Sequence, residues 1–338
     1  MQLFIDSYGA FLGVRNGMFW VKPKNSDPRS FAVREVNAVF LTKGVRLTTD
    51  AMMLALEHQI PVLLIDRIGH PVGQVWSGQF GSIATIRKHQ ALFATDVQGM
   101  EWIREVLLQK VEQQQEYLHH MREAVDAKGD AGRAYDEALG GIMAIARSLR
   151  RWRYTGQSHE EIAGNFRGWE GTASRYYFTA LSAFLPETYR FDGRSKRPAY
   201  DPFNALLNYL YGILYAQVEL ALMKAGLDPY TGVLHADQYK RPTLVFDCIE
   251  LYRCWAEWTA FDLCANRRLP PGAFEDKQRE GYWLAPPGKG VVIDAFLGYL
   301  NEKTSYKDQE RRRKTHIDLD AIRLASRLKG FEPLKRIV

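Results

Sequence analysis

The sequence predicts an α+β fold: a small N-terminal, mostly β domain with one helix, followed by a larger all-α domain. Three observations predict it. Residues 1–85 alternate short runs rich in β-formers with turn residues, the pattern of strands and hairpins. Beyond the segment GSIATIRKHQ the apolar period becomes that of helices and stays so. The chain has 338 residues with 46% hydrophobic content, enough for about two domains at roughly 100–200 residues each. The expected division is 1–88 for the β domain and 89–338 for the helical one.

QLFID and AFLGVRNGMFWVKP read as strands. Between the apolar runs of the second, Asn16-Gly17 marks a hairpin turn, because both residues tolerate positive φ. FAVREVNAVFLT extends the strand pattern. LTTDAMMLALEHQ interrupts it with an amphipathic helix capped by Thr48 or Thr49, before strands at IPVLLID and HPVGQVW. Residues 96–125 lack proline and read as one long helix, Lys128-Gly129-Asp130 breaks it, and AYDEALGGIMAIARSLRRW resumes. Asp201-Pro202 pairs an N-cap with a proline at the first helical position, starting a helix that stops at Gly226. WLAPPGKG reads as a loop before the last helices, one of them DLDAIRLASRLKG.

Composition bounds the function. A formal charge of +6, from 45 basic and 39 acidic residues, favours an anionic partner without a basic tail to identify it. Cys248, Cys254 and Cys264 form no CxxC pair and are odd in number, which supports neither a disulfide framework nor a zinc finger. The N-terminus lacks the pattern of a signal peptide, and no run reaches the roughly 20 apolar residues of a membrane span. A cytoplasmic protein without membrane association is expected.

The stretch GLDPYTGVLHADQYKRPTLVFDCIELYR places His235 in a polar loop before a helix that Thr243 would cap. Asp247 and Glu250 lie three apart on that helix, on one side of it. A third acid, Glu170, stands between Gly168 and Gly171 on an otherwise apolar and aromatic run. Imidazole and carboxylates together suit a catalytic Mg²⁺ or Mn²⁺. Spacing equally allows His235 to be a hydrogen-bonded loop residue, Asp247 to complement the helix dipole, and Glu170 to pair with Arg167 or Arg175. The aromatic stripe Tyr176-Tyr177-Phe178 reads as core.

A longer pattern resembles a known family. GWEGTASRYYFTAL, KRPAYDPFNALL, GLDPY, the Leu-His pair and the RPTL helix with its acids occur in the order found in the CRISPR-associated integrase. That family is the catalytic subunit that inserts new spacers during CRISPR adaptation. VFLTKGVRLTTDAMMLALEHQIPVLLIDRIGHPVG is similar to its β domain, so the resemblance spans nearly the whole chain. It implies Glu170, His235 and Glu250 as metal ligands and catalytic residues, with Asp247 behind them or as an alternative ligand. Leu251, Cys254 and Lys240 depart from the family pattern.

The resemblance further implies a metal-dependent DNA endonuclease and integrase that joins 3′-hydroxyl ends to target phosphodiesters, and the absence of a GxxxxGK[ST] loop fits a reaction without ATP. Double-stranded DNA, both spacer precursor and repeat, is the implied substrate. Arg194, Lys196, Arg197, Lys240 and Arg241 flank the site as expected phosphate contacts. The implied assembly is a homodimer paired through the β domain, two such dimers flanking a dimer of a small ferredoxin-like adaptation subunit. Two other classes stand beside this reading: a metal-dependent nuclease outside CRISPR adaptation, and a non-catalytic nucleic-acid-binding scaffold.

Overall fold

The computed structural model describes residues 1–24, 26–65, 71–75, 83–125, 128–235 and 241–337. It places a strand-rich region first and a helical region after it. The strands are β1 (Gln2–Ile5), β2 (Phe11–Arg15), β3 (Met18–Lys22), β4 (Arg29–Phe31), β5 (Ala38–Leu41), β6 (Arg46–Leu47), β7 (Val62–Ile65) and β8 (Pro71–Val75). Among the described residues one α-helix, α1 (Thr49–Glu57), and a short 3-10 turn at Val33–Glu35 interrupt them. Two four-stranded sheets result, ordered β1-β5-β7-β8 and β4-β3-β2-β6. The β2–β3 hairpin turns at Asn16 and Gly17, whose φ angles are 51° and 69°, the left-handed values that such a two-residue turn demands. Thr48 caps α1, its side chain accepting from the Ala51 amide at 3.2 Å. Leu12, Phe19, Val39 and Leu41 fill the core shared by the two sheets and α1.

The helical region comprises α2 (Ile83–Ala94), α3 (Val97–Val125), α4 (Gly129–Arg151), α5 (His159–Phe184), α6 (Pro202–Lys224), α7 (Thr243–Ile249), α8 (Arg253–Ala265), α9 (Pro286–Asn301) and α10 (Arg313–Lys329). Two hairpins, β9 (Phe274–Asp276) with β10 (Tyr282–Leu284) and β11 (Lys303–Tyr306) with β12 (Gln309–Arg312), lie among them. The change from strand to helix therefore falls between Val75 and Ile83, and α2 runs through residue 88.

At 29 residues, α3 is about 44 Å long at roughly 1.5 Å per residue, and it packs against α4, α5, α7 and α8. The α6 helix starts as its sequence dictates: the Asp201 side chain accepts from the Asn204 amide at 2.7 Å, and Gly226 follows the helix with φ 82°. By length and apolar composition α6 also passes for a membrane span, contrary to the expectation from its residues. Its Phe203, Leu206, Leu207, Leu210 and Leu214 are fully buried in the helical core, as in a central helix of a globular protein. Its far end reaches the β region, where Leu220 packs on Phe40, Leu63 and Ile65.

Two local expectations differ from the structure. Thr243 does not cap α7; Pro242 precedes the helix, and Thr243 is its first residue. Its hydroxyl instead donates to the Tyr230 carbonyl at 2.6 Å and accepts from the Gly232 amide at 3.0 Å, tying the loop before His235 to the helix. The segment WLAPPGKG is no loop: it completes β10 and opens α9, with proline in the first turn, where its missing N–H costs nothing.

Candidate active site

Three helical elements meet around one buried ammonium. Lys110 on α3 donates to Oε1 of Glu170 on α5 and to Oε2 of Glu250, the residue that ends α7. The partners are 60 and 140 residues from Lys110 in sequence, so only packing of α3 against α5 and α7 brings them together. Glu250 gives its other oxygen to Arg253 Nε at 2.8 Å, at the first residue of α8. Arg253 also donates to the Tyr215 hydroxyl at 3.1 Å and lies over the Tyr211 ring, 4.8 Å from its centre. Ser174, one turn along α5 from Glu170, donates to Glu170 Oε1 at 2.8 Å.

The electrostatics follow from this packing. Two carboxylates face two cations, Lys110 and Arg253, and Lys110 and Glu250 are nearly inaccessible while Glu170 keeps 29% of its side chain exposed. Burial alone would raise the Glu170 pKa, but the Lys110 charge, its hydrogen bond and that of Ser174 outweigh burial and hold it at about 2. Burial would lower the pKa of Lys110, and the flanking Glu250 and Glu170 instead drive it well above the ordinary lysine value. Arg253 is raised likewise, chiefly by Glu250 working against burial.

His235 belongs to a second cluster beside the first. Its Nδ1 lies 2.7 Å from Asp247 Oδ1. The same Asp247 oxygen accepts from the His235 amide at 3.3 Å, and Oδ2 accepts from the Val233 and Leu234 amides at 2.6 and 3.2 Å. Asp247 is buried, and burial raises its pKa despite these donors. One carboxylate thus pins three consecutive amides and the imidazole. The imidazole keeps 37% of its side chain exposed and meets Phe246 edge to face. The loop also rests on α5, since Arg167 donates to the Leu234 carbonyl and His159 Nε2 lies 2.9 Å from the Val233 carbonyl.

The donor chemistry fits a hard divalent cation. Glu170 and Glu250 already converge on one positive charge, and fixing Nδ1 of His235 on a carboxylate is the arrangement that orients Nε2 toward a metal. As the side chains stand, no three His, Cys, Asp or Glu residues among those described gather closely enough to hold one ion, and the Lys110 ammonium contacts both glutamates.

Spacing allows Arg167 or Arg175 as an alternative, ordinary partner of Glu170. The structure gives that role to Lys110. Lys110 and Arg253 were not anticipated, although Lys110 was detectable: it falls on the α3 stripe of Ile103, Leu107, Gln114 and Leu118, all buried, where a lone charge demands a partner. Tyr177 and Phe178 are core residues, as expected.

Among the expected phosphate contacts, Lys196, Arg197 and Arg241 are exposed, and Lys240 lies outside the described residues. Arg194 is differently placed. Its guanidinium donates to the Asn204 side chain and, at 2.9 Å, to that of Asn208, and it lies over the Phe178 and Tyr211 rings, which makes it an internal clamp between the segment after α5 and α6. It also borders a cavity of about 610 Å³ along α5 whose walls include Gly171, Ser174, Arg175 and Arg190, so Ser174 belongs both to the cavity and to the Glu170 carboxylate.

A strand-rich region preceding a helical one, with acids on converging helices and a histidine in the adjoining loop, defines a class of two-part α+β proteins with an acidic, imidazole-bearing centre. The profile of the family described as CRISPR associated protein Cas1 matches residues 3–297, and the chain belongs to that family. It is 29% identical over 338 residues to a CRISPR-associated endonuclease Cas1 of Archaeoglobus fulgidus, covering 98% of this chain and 97% of that one. A second, of Rhodospirillum rubrum, is 30% identical over 82% of this chain and 77% of its own. Among solved structures, a casposase bound to integration product superposes with a TM-score of 0.73 at 20% identity, covering 98% and 96% of the two chains. A Cas1 protein from Thermotoga maritima gives 0.67 at 18% identity, with 99% of each chain covered. A partial Cas6-RT-Cas1–Cas2 complex gives 0.70 at 22%, covering 97% and 95%.

Proposed function

We propose that this protein is a metal-dependent DNA endonuclease and integrase of CRISPR adaptation, which joins the 3′-hydroxyl ends of spacer DNA to phosphodiesters of a CRISPR array. The observation that carries this reading is the convergence of Glu170 and Glu250 on a single cationic position, beside an imidazole held by Asp247, in a chain of the Cas1 family. Relatives named as endonucleases and a solved casposase–product complex support the same class of chemistry.

In this reading Glu170, His235 and Glu250 hold Mg²⁺ or Mn²⁺, which when bound would polarise the scissile phosphate and ease deprotonation of the attacking hydroxyl. The chain's own residues do the rest. Arg253 fixes one Glu250 oxygen, so the other points toward Lys110 and Glu170. Asp247 orients rather than ligates, since each of its oxygens already accepts from two donors. The exposed Lys196, Arg197 and Arg241 and the arginine-bordered cavity beside Ser174 supply cationic surface for the DNA backbone. We assign the strand-rich region to homodimerisation, the partner to a small ferredoxin-like adaptation subunit flanked by two such dimers, and the compartment to the cytoplasm. The Cas1–Cas2 assemblies among the solved neighbours support a partner subunit.

The test is an integration assay with 3′-hydroxyl DNA, a repeat-bearing plasmid and the partner subunit. Glu170→Ala, His235→Ala and Glu250→Ala should each abolish joining while DNA binding persists, because affinity comes from distributed cations. Joining by His235→Ala at the wild-type rate would refute the ligand set. Cleavage without joining by the wild type would place the protein among nucleases outside adaptation.

A further inference from the structure

Lys110 poses a question that the proposed metal site does not answer. A lysine with 3% of its side chain exposed is expensive to bury, and here it sits on the two glutamates assigned as ligands. We infer that Lys110 is a built-in counter-cation, which holds the Glu170 and Glu250 carboxylates in place in the metal-free protein and competes with the divalent ion for them, so that it sets the site's metal affinity. This inference rests on the metal reading above.

Three observations carry it. The ammonium contacts one oxygen of each glutamate, the arrangement a bridging cation would take. Arg253 is committed to the other Glu250 oxygen and to Tyr215, so it neutralises Glu250 without lying between the two acids. One turn further along the same face of α3, the fully buried Gln114 has neither amide atom hydrogen-bonded among the described residues, which leaves an acceptor within a helical turn for an ammonium that yields its place. A lysine serves such exchange better than an arginine, being a compact charge on a flexible stem rather than a rigid fork. As a positioning residue, Lys110 acts through the carboxylates and needs no contact with DNA.

The experiment measures Mn²⁺ binding by electron paramagnetic resonance on the full-length wild type, Lys110→Met and Glu170→Gln, with thermal melting in chelator and in Mn²⁺. Removing the competitor should tighten Mn²⁺ binding by about tenfold or more, the lower end of what groups behind metal ligands usually change. It should also lower the melting temperature in chelator and enlarge the rise that Mn²⁺ produces. A purely structural lysine would lower both melts equally and leave affinity unchanged or weaker, which would overturn the inference.

Should Lys110→Met fail to fold, the wild type alone decides. The ¹⁵Nζ resonance of a buried lysine ammonium should move when Mg²⁺ binds, and an unmoved resonance in the Mg²⁺-bound protein would refute displacement. Failure of the underlying reading looks different: Mn²⁺ would bind neither protein, or bind Glu170→Gln as well as wild type.

Discussion

Asp247 and His235, twelve residues apart, are joined by a 2.7 Å contact between Oδ1 and Nδ1, and the same carboxylate accepts the backbone amides of Val233, Leu234 and His235. The helix thus holds not only the ring but the backbone that carries it. Fixing Nδ1 leaves ring orientation and tautomer to a single buried carboxylate.

Asp247→Asn should therefore impair strand joining by about 10–100-fold, short of the loss caused by Glu250→Ala, because an amide nitrogen cannot accept from the amides it would face. Initial joining rates of the two variants check the order. An Asp247→Asn rate equal to wild type would remove Asp247 from the site.

Asn204 is fully buried, and its side chain accepts from Arg194 and the Ser195 amide while donating to the Gly193 carbonyl and Asp201 at 2.9 and 2.6 Å. Asn204→Ala leaves several of these groups without partners. At about 1–3 kcal/mol for an unsatisfied buried group, urea denaturation should show a loss of at least roughly 2 kcal/mol. A loss under half of that would mean that the Arg194 clamp is not structural.

The exposed cations allow a separate test. Replacing Lys196, Arg197 and Arg241 together by alanine should flatten the dependence of log affinity on log salt by about 0.9 per phosphate contact removed. Fluorescence anisotropy with duplex DNA over a salt series measures the slope. An unchanged slope would place the DNA backbone elsewhere.

Glu219 on α6 has its pKa raised by burial to about 7. Folding therefore takes up a proton between the ordinary carboxylate value and about 7, so this group's contribution to stability falls as pH rises through that window and levels off above it. Glu219→Gln should gain stability relative to wild type between about pH 5 and about pH 8, read as the difference in urea midpoints. A pH-independent difference would contradict the assignment.

Much of the fold was fixed by local chemistry. The Asn16-Gly17 turn, the caps at Thr48 and Asp201, the glycine stop at 226 and the uninterrupted α3 each depend on residues close in sequence, and they form as the sequence dictates. The strand-to-helix order was legible for the same reason. Thr243 and WLAPPGKG depart from expectation because both signals have two solutions. A threonine before a helix can cap it or tie down a loop, and a proline pair can break a chain or open a helix.

For the site, the sequence supplied the acids and the histidine, and a family resemblance supplied their roles. It did not supply Lys110, Arg253's hold on Glu250, or the conversion of Arg194 from surface cation to internal clamp. Lys110 meets its partners across separate helices, 60 and 140 positions away, Arg253 meets Glu250 across the junction of α7 and α8, and Arg194 reaches α6 from the non-helical segment after α5. A side chain's charge is written in the sequence, but the charge that faces it is set by how α3, α5, α7 and α8 pack. In a buried setting that neighbour decides what the residue does, because desolvation leaves it no water to pair with instead.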